Sequence, residues 1–275
     1  MLSAYYVPDT DLFAVYQRSK VMTGDMWQLY DALIEGVDGS RRVDYACCGS
    51  WRAWVESEGR GGLASLLVNG GVVSRPTGEL TQYAGWRLRD LAALCKSWDP
   101  REAALGVAAL NAYYNDISLL EKSPSLLYPG DSEAGDAFSR LLPEARGKKV
   151  ATVGHFNGVD RMYGPVCDFT VFEREPRDGD LPDAAEEYLL PHMDLVFITG
   201  MALTNKTLPR LLQLAAGRVV LTGPSLPMTE VFFRFGADML SGMAVSKPQQ
   251  GRAAVVSADW HAVYECSSKV LWPRA

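Results

Sequence analysis

The sequence of 275 residues has no apolar run long enough to cross a bilayer, which takes about 20 residues, and no basic block or stripe. Its formal net charge is −6. These absences argue against a membrane-spanning protein, and against nucleic acid or an anionic membrane surface as the main partner. The N-terminal stretch MLSAYYVPDTDLF also lacks the basic and apolar regions of a secretory signal, so we expect a cytoplasmic protein.

Metal-ligand spacing is absent as well. The five cysteines form no C-x-x-C pair, and the three histidines are scattered. Cys47 and Cys48 are neighbours on a predicted strand, where their side chains would point to opposite faces. We therefore expect reduced, buried thiols and no metal held tightly by the polypeptide itself. The G-x-G-x-x-G fingerprint of dinucleotide-binding proteins is missing too, and no cofactor follows from the sequence.

The first half of the sequence reads as an α+β unit. Residues 23–36 predict a helix that begins at a capping Thr or Asp and ends at Gly36. Residues 42–57 predict a strand with a bend at Gly49 and Ser50, and residues 63–69 a returning strand. Two amphipathic or alanine-rich helices are predicted over 86–98 and 101–116.

The second half alternates strand and helix signals. Short β-rich runs cover 149–154, 167–173, 194–200, 218–223 and 238–245, with helical stretches such as 181–190 and 207–216 between them. This alternation predicts an α/β fold with a Rossmann-like, doubly wound and mostly parallel sheet. We divide the chain into an α+β domain over 1–125, a linker over 126–147 and a Rossmann-like domain over 148–275.

Candidate site residues follow from the rule that ligands bind beyond the carboxyl ends of parallel strands. Glu173 ends the second strand, about twenty residues after the first loop, where Rossmann proteins place an acid against a ribose. Glu173 could instead be a solvated acid or a partner of Arg174 or Arg177. The other predicted ligand-binding residues follow the first, third and fourth strands: Gly154, His155, Phe156, Gly200, Thr204, Asn205, Gly223, Pro224 and Ser225.

Two asparagines stand out in the helix predicted over 101–116. Asn111 and Asn115 are four residues apart and so share one helix face, although asparagine is a poor residue for a helix interior. The spacing indicates a polar spot that faces another group, such as a ligand. The alternative is a helix end that frays into solvent.

Several segments resemble a known family, the heavy-metal chelation family DUF364 with its associated DUF4213 domain. They are CCGSWRAWV, GVAALNA, VGHF, VFEREP, LLPHMDLVFITGMALTNKTL and LTGPSLPM, and the resemblance covers nearly the whole chain. It implies an N-terminal α+β domain with an enolase N-terminal-like fold and a C-terminal Rossmann-like domain. It also implies that the site lies in the cleft between them.

Three functions stay open at this point. The resemblance implies condensation or hydrolysis of a small molecule, such as a pterin, a flavin or a siderophore-like metal chelator, and we favour an enzyme that acts on a heteroaromatic or metal-chelating molecule of this kind. Glu173 or His155 would then be the catalytic acid or base, and four polar residues would orient the ligand: Asn111, Asn115, Thr204 and Asn205. The alternatives are a nucleoside-cofactor enzyme, such as a methyltransferase, and a non-enzymatic protein that binds a metal chelate. A homodimer is compatible with all three.

Overall fold

Within its described residues, the first half of the chain folds into a four-stranded antiparallel sheet with four accompanying α-helices. The computed structural model describes residues 25–67, 78–120 and 136–275. Within them, the sheet has the order β3-β2-β1-β4. The strands are β1 (Tyr45–Cys48), β2 (Arg52–Ser57), β3 (Arg60–Ser65) and β4 (Gly78–Glu79). The helices are α1 (Gln28–Glu35), α2 (Leu88–Ala92), α3 (Pro100–Tyr114) and α4 (Ile117–Leu120).

The bend predicted at Gly49 and Ser50 separates two strands. The Gly49 amide donates to the Arg52 carbonyl at 2.8 Å, so β1 and β2 form a hairpin. Cys47 and Cys48 lie in different apolar clusters, as strand alternation requires.

Helix α3 packs against this sheet and is buried along most of its length. Asp99 caps it by accepting from the amides of Arg101 and Glu102, and Pro100 occupies its first turn. Small residues allow a very close approach between α3 and β3: a Cβ atom at Gly62 would lie 2.0 Å from the Ala112 nitrogen. The predicted helix is therefore confirmed, and its alanines serve helix-to-strand packing.

A seven-stranded sheet forms the second half and confirms the α/β, mostly parallel, Rossmann-like prediction. Its order is β11-β10-β9-β8-β5-β6-β7, and only the pair β10–β11 is antiparallel. The strands are β5 (Lys149–Val153), β6 (Asp168–Glu173), β7 (Leu181–Pro182), β8 (Leu195–Thr199), β9 (Arg218–Thr222), β10 (Met239–Val245) and β11 (Ser267–Pro273). The sequence predicted five of these strands and missed β7 and β11.

Eight helices accompany this sheet within the described residues. They are α5 (Ala137–Leu141), α6 (Val159–Tyr163), α7 (Glu186–Leu189), α8 (Met201–Thr204), α9 (Leu208–Leu214), α10 (Val231–Arg234), α11 (Pro248–Val256) and α12 (Trp260–Glu265). In the described part of the chain, no helix combines the length and apolar character that crossing a membrane requires.

The largest apolar core extends across both sheets. It includes Leu33 and Leu110 from the first half and Leu203 and Leu226 from the second, each at most 1% exposed. The division at 126–147 stays a prediction, and its first part lies outside the described residues. From residue 136 onward the chain packs on the second sheet, where Ala137, Phe138, Leu141 and Ala145 are buried.

The strand order reverses between β5 and β8. Strand β5 is followed by β6 on one side, and the chain then crosses back to place β8 on the other side. In open α/β sheets, such a reversal leaves a crevice at the carboxyl ends of the two strands. The fold therefore predicts a ligand site beyond Val153 and Thr199.

Candidate functional site

A cavity of about 530 Å³ lies at this reversal point, a size typical of small-molecule sites. One wall comes from the residues that follow β5, β6 and β8. The opposite wall comes from the first sheet, through Trp51, Arg52 and residues 65–67. The cavity therefore lies between the two halves of the chain, where the cleft was expected.

His155 and Asp180 form a pair at this cavity. His155 Nδ1 lies 2.9 Å from Asp180 Oδ2, and the Asp180 side chain is only 4% exposed. An ionised carboxylate can only accept, so in a neutral ring Nδ1 carries the proton and Nε2 presents its lone pair. The pair fixes both the orientation and the tautomer of the imidazole.

Glu173 ends β6, as predicted, and lines the cavity. One carboxylate oxygen accepts from the His155 amide at 2.9 Å. The other accepts from the Arg174 amide at 2.7 Å and the Glu175 amide at 3.3 Å. Glu173 thus ties the loop after β5 to the loop after β6. Its catalytic role stays a prediction.

Glu186 is a cavity residue that the sequence analysis missed. It lies at the start of α7, and its carboxyl makes no hydrogen bond to any described residue. Burial, followed by the nearby charge of Asp183, raises the pKa of Glu186 to about 7. Arg174 opposes this shift without cancelling it. A carboxyl of this pKa can donate or accept a proton at neutral pH.

Three further predicted residues line the cavity. Gly154 has a φ of 101°, and a Cβ atom there would lie 3.1 Å from Thr199 Cγ2, so the turn favours glycine. The Phe156 ring packs against Phe138 with centroids 5.0 Å apart. Asn205 Oδ1 accepts from the Thr207 amide at 3.0 Å, and its Nδ2 has no partner among the described residues.

Asn111, in α3, and Asn115, at the C-cap of α3, lie outside the cavity lining, in the packed junction between the halves. Asn115 Nδ2 donates to the carbonyls of Leu226 at 3.0 Å and Met243 at 2.9 Å, and its Oδ1 accepts from the Met228 amide at 2.8 Å. Asn111 Nδ2 donates to the Leu63 carbonyl at 2.6 Å. Both side chains are buried, so they neither fray into solvent nor face the cavity.

The loop after β9 also serves this junction. Ser225 is 1% exposed, and its hydroxyl accepts from the Ser65 amide at 2.9 Å. The Pro224 carbonyl lies 3.5 Å from Asn111 Nδ2, and the Gly223 amide donates to the Ser241 carbonyl at 2.9 Å. The structure therefore gives Gly223, Pro224 and Ser225 contacts with protein groups instead of a place on the cavity wall.

Gly200 and Thr204 are likewise held by packing. A Cβ atom at Gly200 would lie 2.8 Å from the Leu226 nitrogen, so glycine lets the β9 loop approach. Thr204 is fully buried, and its carbonyl accepts from Lys206 Nζ at 2.9 Å. Neither residue lines the cavity. A direct role in ligand binding has no geometric support at these two positions.

The segment after Glu173 contributes the residues that sequence reasoning missed. Arg174, Arg177, Asp180 and Glu186 all belong to the stretch REPRDGDLPDAAEE. The strand-end rule stopped at Glu173, although the loop that follows lies at the same sheet edge. The density of charge in that loop was the available signal.

Metal-binding geometry does not emerge from the described side chains. Within 25–67, 78–120 and 136–275, no three His, Cys, Asp or Glu residues lie close enough to hold a metal ion. The described cysteines are free, and four of them are buried. These residues do not fit a protein-held metal centre.

A second, larger groove of about 850 Å³ lies beside α1 and α10. It is lined by residues such as Glu35, Tyr114, Arg234 and Trp272. It contains none of the predicted site residues and lies away from the carboxyl ends of the parallel strands. The cavity at the strand reversal is therefore the candidate site.

Comparison with known proteins identifies the family. Residues 30–114 match the DUF4213 model and residues 136–267 the DUF364 model, both described as "Putative heavy-metal chelation". The chain is 38% identical over 171 residues to "Uncharacterized protein MJ0500" of Methanocaldococcus jannaschii, a match that covers 58% of this chain and spans 60% of that relative's length.

Solved structures agree with these matches. A protein of unknown function from the DUF364 family of Pyrococcus horikoshii is 20% identical with a TM-score of 0.70, and the alignment covers 90% of this chain and 99% of that one. A DUF364 protein of unknown function from Desulfitobacterium hafniense is 34% identical with a TM-score of 0.80, over the same shares of both chains. The chain therefore belongs to the DUF364 family.

Proposed function

We propose that this chain is an enzyme that acts on a small heteroaromatic or metal-chelating molecule, by condensation or hydrolysis, in the cavity between the two sheets. One observation carries the proposal. The His155–Asp180 pair and the Glu186 carboxyl, with a pKa of about 7, line or support the same cavity. A carboxyl group with a raised pKa beside an oriented histidine in a concave site is typical of acid-base catalysis.

The two groups suit complementary proton transfers. His155 Nε2 can accept a proton from water or from a nucleophile, while Asp180 stabilises the imidazolium that forms. Glu186 in its protonated form can supply a proton to the leaving group. Glu173 holds the His155 main chain in place and acts as a positioning residue in this scheme.

The aromatic residues of the cavity lining favour a flat ligand. Trp51 is 49% exposed at the cavity wall, and Phe156 and Phe172 also line it. Aromatic side chains favour stacked or edge-on contacts with planar rings. The family description concerns heavy metals, and in this proposal a metal enters bound to its chelating ligand. No proposed step runs through a metal held by the protein.

A second candidate function is a nucleoside-cofactor enzyme. It is supported by the position of Glu173 at the end of β6, the second strand of the sheet in chain order. An acid there can accept from a ribose diol. However, both oxygens of this carboxylate already accept main-chain amides. A ribose would have to share those oxygens, which makes this candidate the weaker one.

The identity of a co-purifying compound tests the proposal directly. The protein is purified under native conditions, desalted and denatured, and the released material is examined by absorbance and mass spectrometry. We expect a heteroaromatic or metal-chelating compound. Release of S-adenosylmethionine or a dinucleotide would instead select the nucleoside-cofactor enzyme.

Turnover of the released compound tests the acid-base assignment. We expect Glu186→Gln to lower the rate by about 10²–10⁴-fold, the usual contribution of a general acid or base, while ligand affinity changes little. Glu187→Gln is the matched control, because Glu187 pairs with Arg210 instead of lining the cavity. Equal rates in the two variants would remove Glu186 from the mechanism.

A further inference from the structure

Three guanidinium groups line the candidate cavity, from Arg52, Arg174 and Arg177. They come from both halves of the chain. Arg52 begins β2, and the other two follow β6. Arginine presents a planar fork of donors that matches the two oxygens of a carboxylate or phosphate. What each guanidinium already contacts therefore decides what the cavity can still bind.

One of the three guanidiniums is neutralised by the protein. Arg174 Nε lies 3.1 Å from Asp183 Oδ2 and forms an ion pair with it. The other two have no carboxylate within ion-pair distance among the described residues. Arg177 donates to the neutral Asn157 Oδ1 at 3.2 Å. Arg52 lies over the Tyr264 ring at 5.9 Å and hydrogen-bonds the neutral Tyr264 side chain.

Arg52 is the more informative of these two. Burial lowers the pKa of its guanidinium below the usual value, which reflects the loss of water around the cation. A partly buried cation without a counter-ion is costly for a folded protein. Such a cost is removed when a ligand brings the missing negative charge.

The acidic groups of the cavity are mostly engaged elsewhere. Glu173 accepts three main-chain amides, and Asp183 pairs with Arg174. Glu175 also lines the cavity and has a contact of its own. Asp180, next to the lining, faces His155. Glu186 makes no such contact and has a pKa of about 7, so at neutral pH it is only partly charged. Arg52 and Arg177 therefore keep most of their donors free of carboxylate partners.

We infer that the ligand of this cavity is an acid: a planar, carboxylate-bearing heteroaromatic or chelating molecule whose carboxylates are held by Arg52 and Arg177. The inference rests on the proposed function and narrows its substrate class. Trp51 and Phe156 supply the apolar contacts of the ring, and the Asn205 amide nitrogen supplies a neutral donor. Carboxylates are also the groups through which small chelators hold metals.

Dipicolinate, a flat pyridine with two carboxylates that chelates metals, is a suitable probe. Its uncharged dimethanol analogue keeps the ring and replaces both carboxylates. Titration calorimetry at neutral pH compares the two compounds and inorganic phosphate on the full chain. We expect dipicolinate to bind at least about tenfold more tightly than the neutral analogue, because charge-assisted hydrogen bonds are lost with the carboxylates.

Substitutions locate the effect. Arg52→Met and Arg177→Met should each reduce the preference for dipicolinate by about tenfold. Arg140→Met is the matched control, because it removes the same charge as the two cavity substitutions. Arg140 is exposed on α5 and does not line the cavity. It should leave the preference unchanged, and melting temperatures of all variants confirm that each is folded.

The outcomes separate this inference from the proposed function. Equal affinity for dipicolinate and the neutral analogue overturns the inference. The proposed function then still holds, with a neutral heteroaromatic ligand. A preference that survives in both cavity variants also overturns it. If inorganic phosphate binds and dipicolinate does not, the inferred carboxylate ligand is overturned, and the two arginines are assigned to a phosphate group instead. Failure of all three compounds to bind overturns the inference, whereas the proposed function is decided by the compound that co-purifies.

Discussion

At the scale of single residues, the site depends on how neighbouring carboxyl groups are solvated. Glu187 is exposed, and its hydrogen bond to Arg210 lowers its pKa. Glu186, one residue earlier, faces the cavity, where burial raises its pKa to about 7. Two adjacent residues of the same type therefore hold different protonation states at neutral pH.

The raised pKa of Glu186 predicts a pH-dependent stability. The folded protein binds this proton up to about pH 7, whereas the unfolded chain releases it near the ordinary glutamate pKa of 4.5. The free energy of unfolding should therefore fall as pH rises through this window. Glu186→Gln removes the effect and should be more stable than wild type at pH 8, by on the order of 1 kcal/mol after allowance for partial exposure.

Urea denaturation at pH 5 and pH 8 measures this difference. The Gln variant should gain relative to wild type only at the higher pH. Glu187→Gln is the control and should gain nothing at pH 8, because its carboxylate is stabilised by Arg210. A difference between Glu186→Gln and wild type that is the same at both pH values would contradict the assignment.

Single residues were predictable where local geometry dictates them. Gly154, His155 and Glu173 follow from strand ends, since the carboxyl ends of parallel strands share one edge. The density of charge after Glu173 marked the segment that contains Glu186, but the burial of Glu186 could not be predicted, because it depends on the tertiary position of α7. Asn115 was predicted to bind a ligand, but its partners are main-chain atoms of distant loops, which leave no mark in the sequence.

At the scale of elements, the contact of α3 with β3 sets the wall of the cavity. Gly62 lies against Ala108 and Ala112, and the two backbones approach so closely that no side chain fits between them. Ser65, at the end of the same strand, lines the cavity and also bonds to Ser225. The position of β3 therefore affects both the junction and the site.

Gly62→Ala should destabilise the protein strongly. Its Cβ atom would lie 2.0 Å from the Ala112 nitrogen and 2.3 Å from the Ala108 carbonyl oxygen, so strand and helix must separate. We expect a loss of unfolding free energy of about 3 kcal/mol or more, measured by urea denaturation. Gly39→Ala is the control, because its nearest neighbour would be Arg89 at 3.7 Å, an ordinary contact. Similar losses in both variants would refute this account of the packing.

Element prediction succeeded where strands are buried on both faces. Strands β5, β8 and β9 are mostly apolar and are buried at four of their five residues, as expected of parallel strands covered by helices. Strand β11 lies at the edge of the sheet and begins with Ser267, Ser268 and Lys269. Its pairing depends on β10 more than on its own composition, and for that reason the sequence did not reveal it.

At the scale of the whole molecule, the two halves share one core. Leu33 and Leu110 belong to the same apolar cluster as Leu203 and Leu226. Hydrogen bonds add to this cluster: the Tyr30 hydroxyl donates to the Leu203 carbonyl at 2.8 Å, from the first half to the second. The sequence predicted two units from their different patterns, but a shared core depends on contacts between distant segments.

A shared core predicts a single unfolding transition. Five of the seven tryptophans precede residue 99, so tryptophan fluorescence reports mainly on the first half, whereas far-UV circular dichroism reports on the whole chain. We expect both signals to give the same urea midpoint. Asn115→Ala should lower both midpoints together, with a loss of about 3 kcal/mol from three hydrogen bonds. Separate midpoints would show that the halves unfold independently.

The bonds of Asn115 end on main-chain atoms, and this has a consequence for mutational tolerance. A main-chain carbonyl or amide stays in place whatever side chain its residue carries. Leu226 and Met228 can therefore be exchanged for other apolar residues of similar volume without loss of these bonds. Asn115 has no such freedom, since only a side-chain amide offers the donors and the acceptor that this position uses. In a saturation-mutagenesis scan, position 115 should accept asparagine alone, whereas positions 226 and 228 should accept several residues.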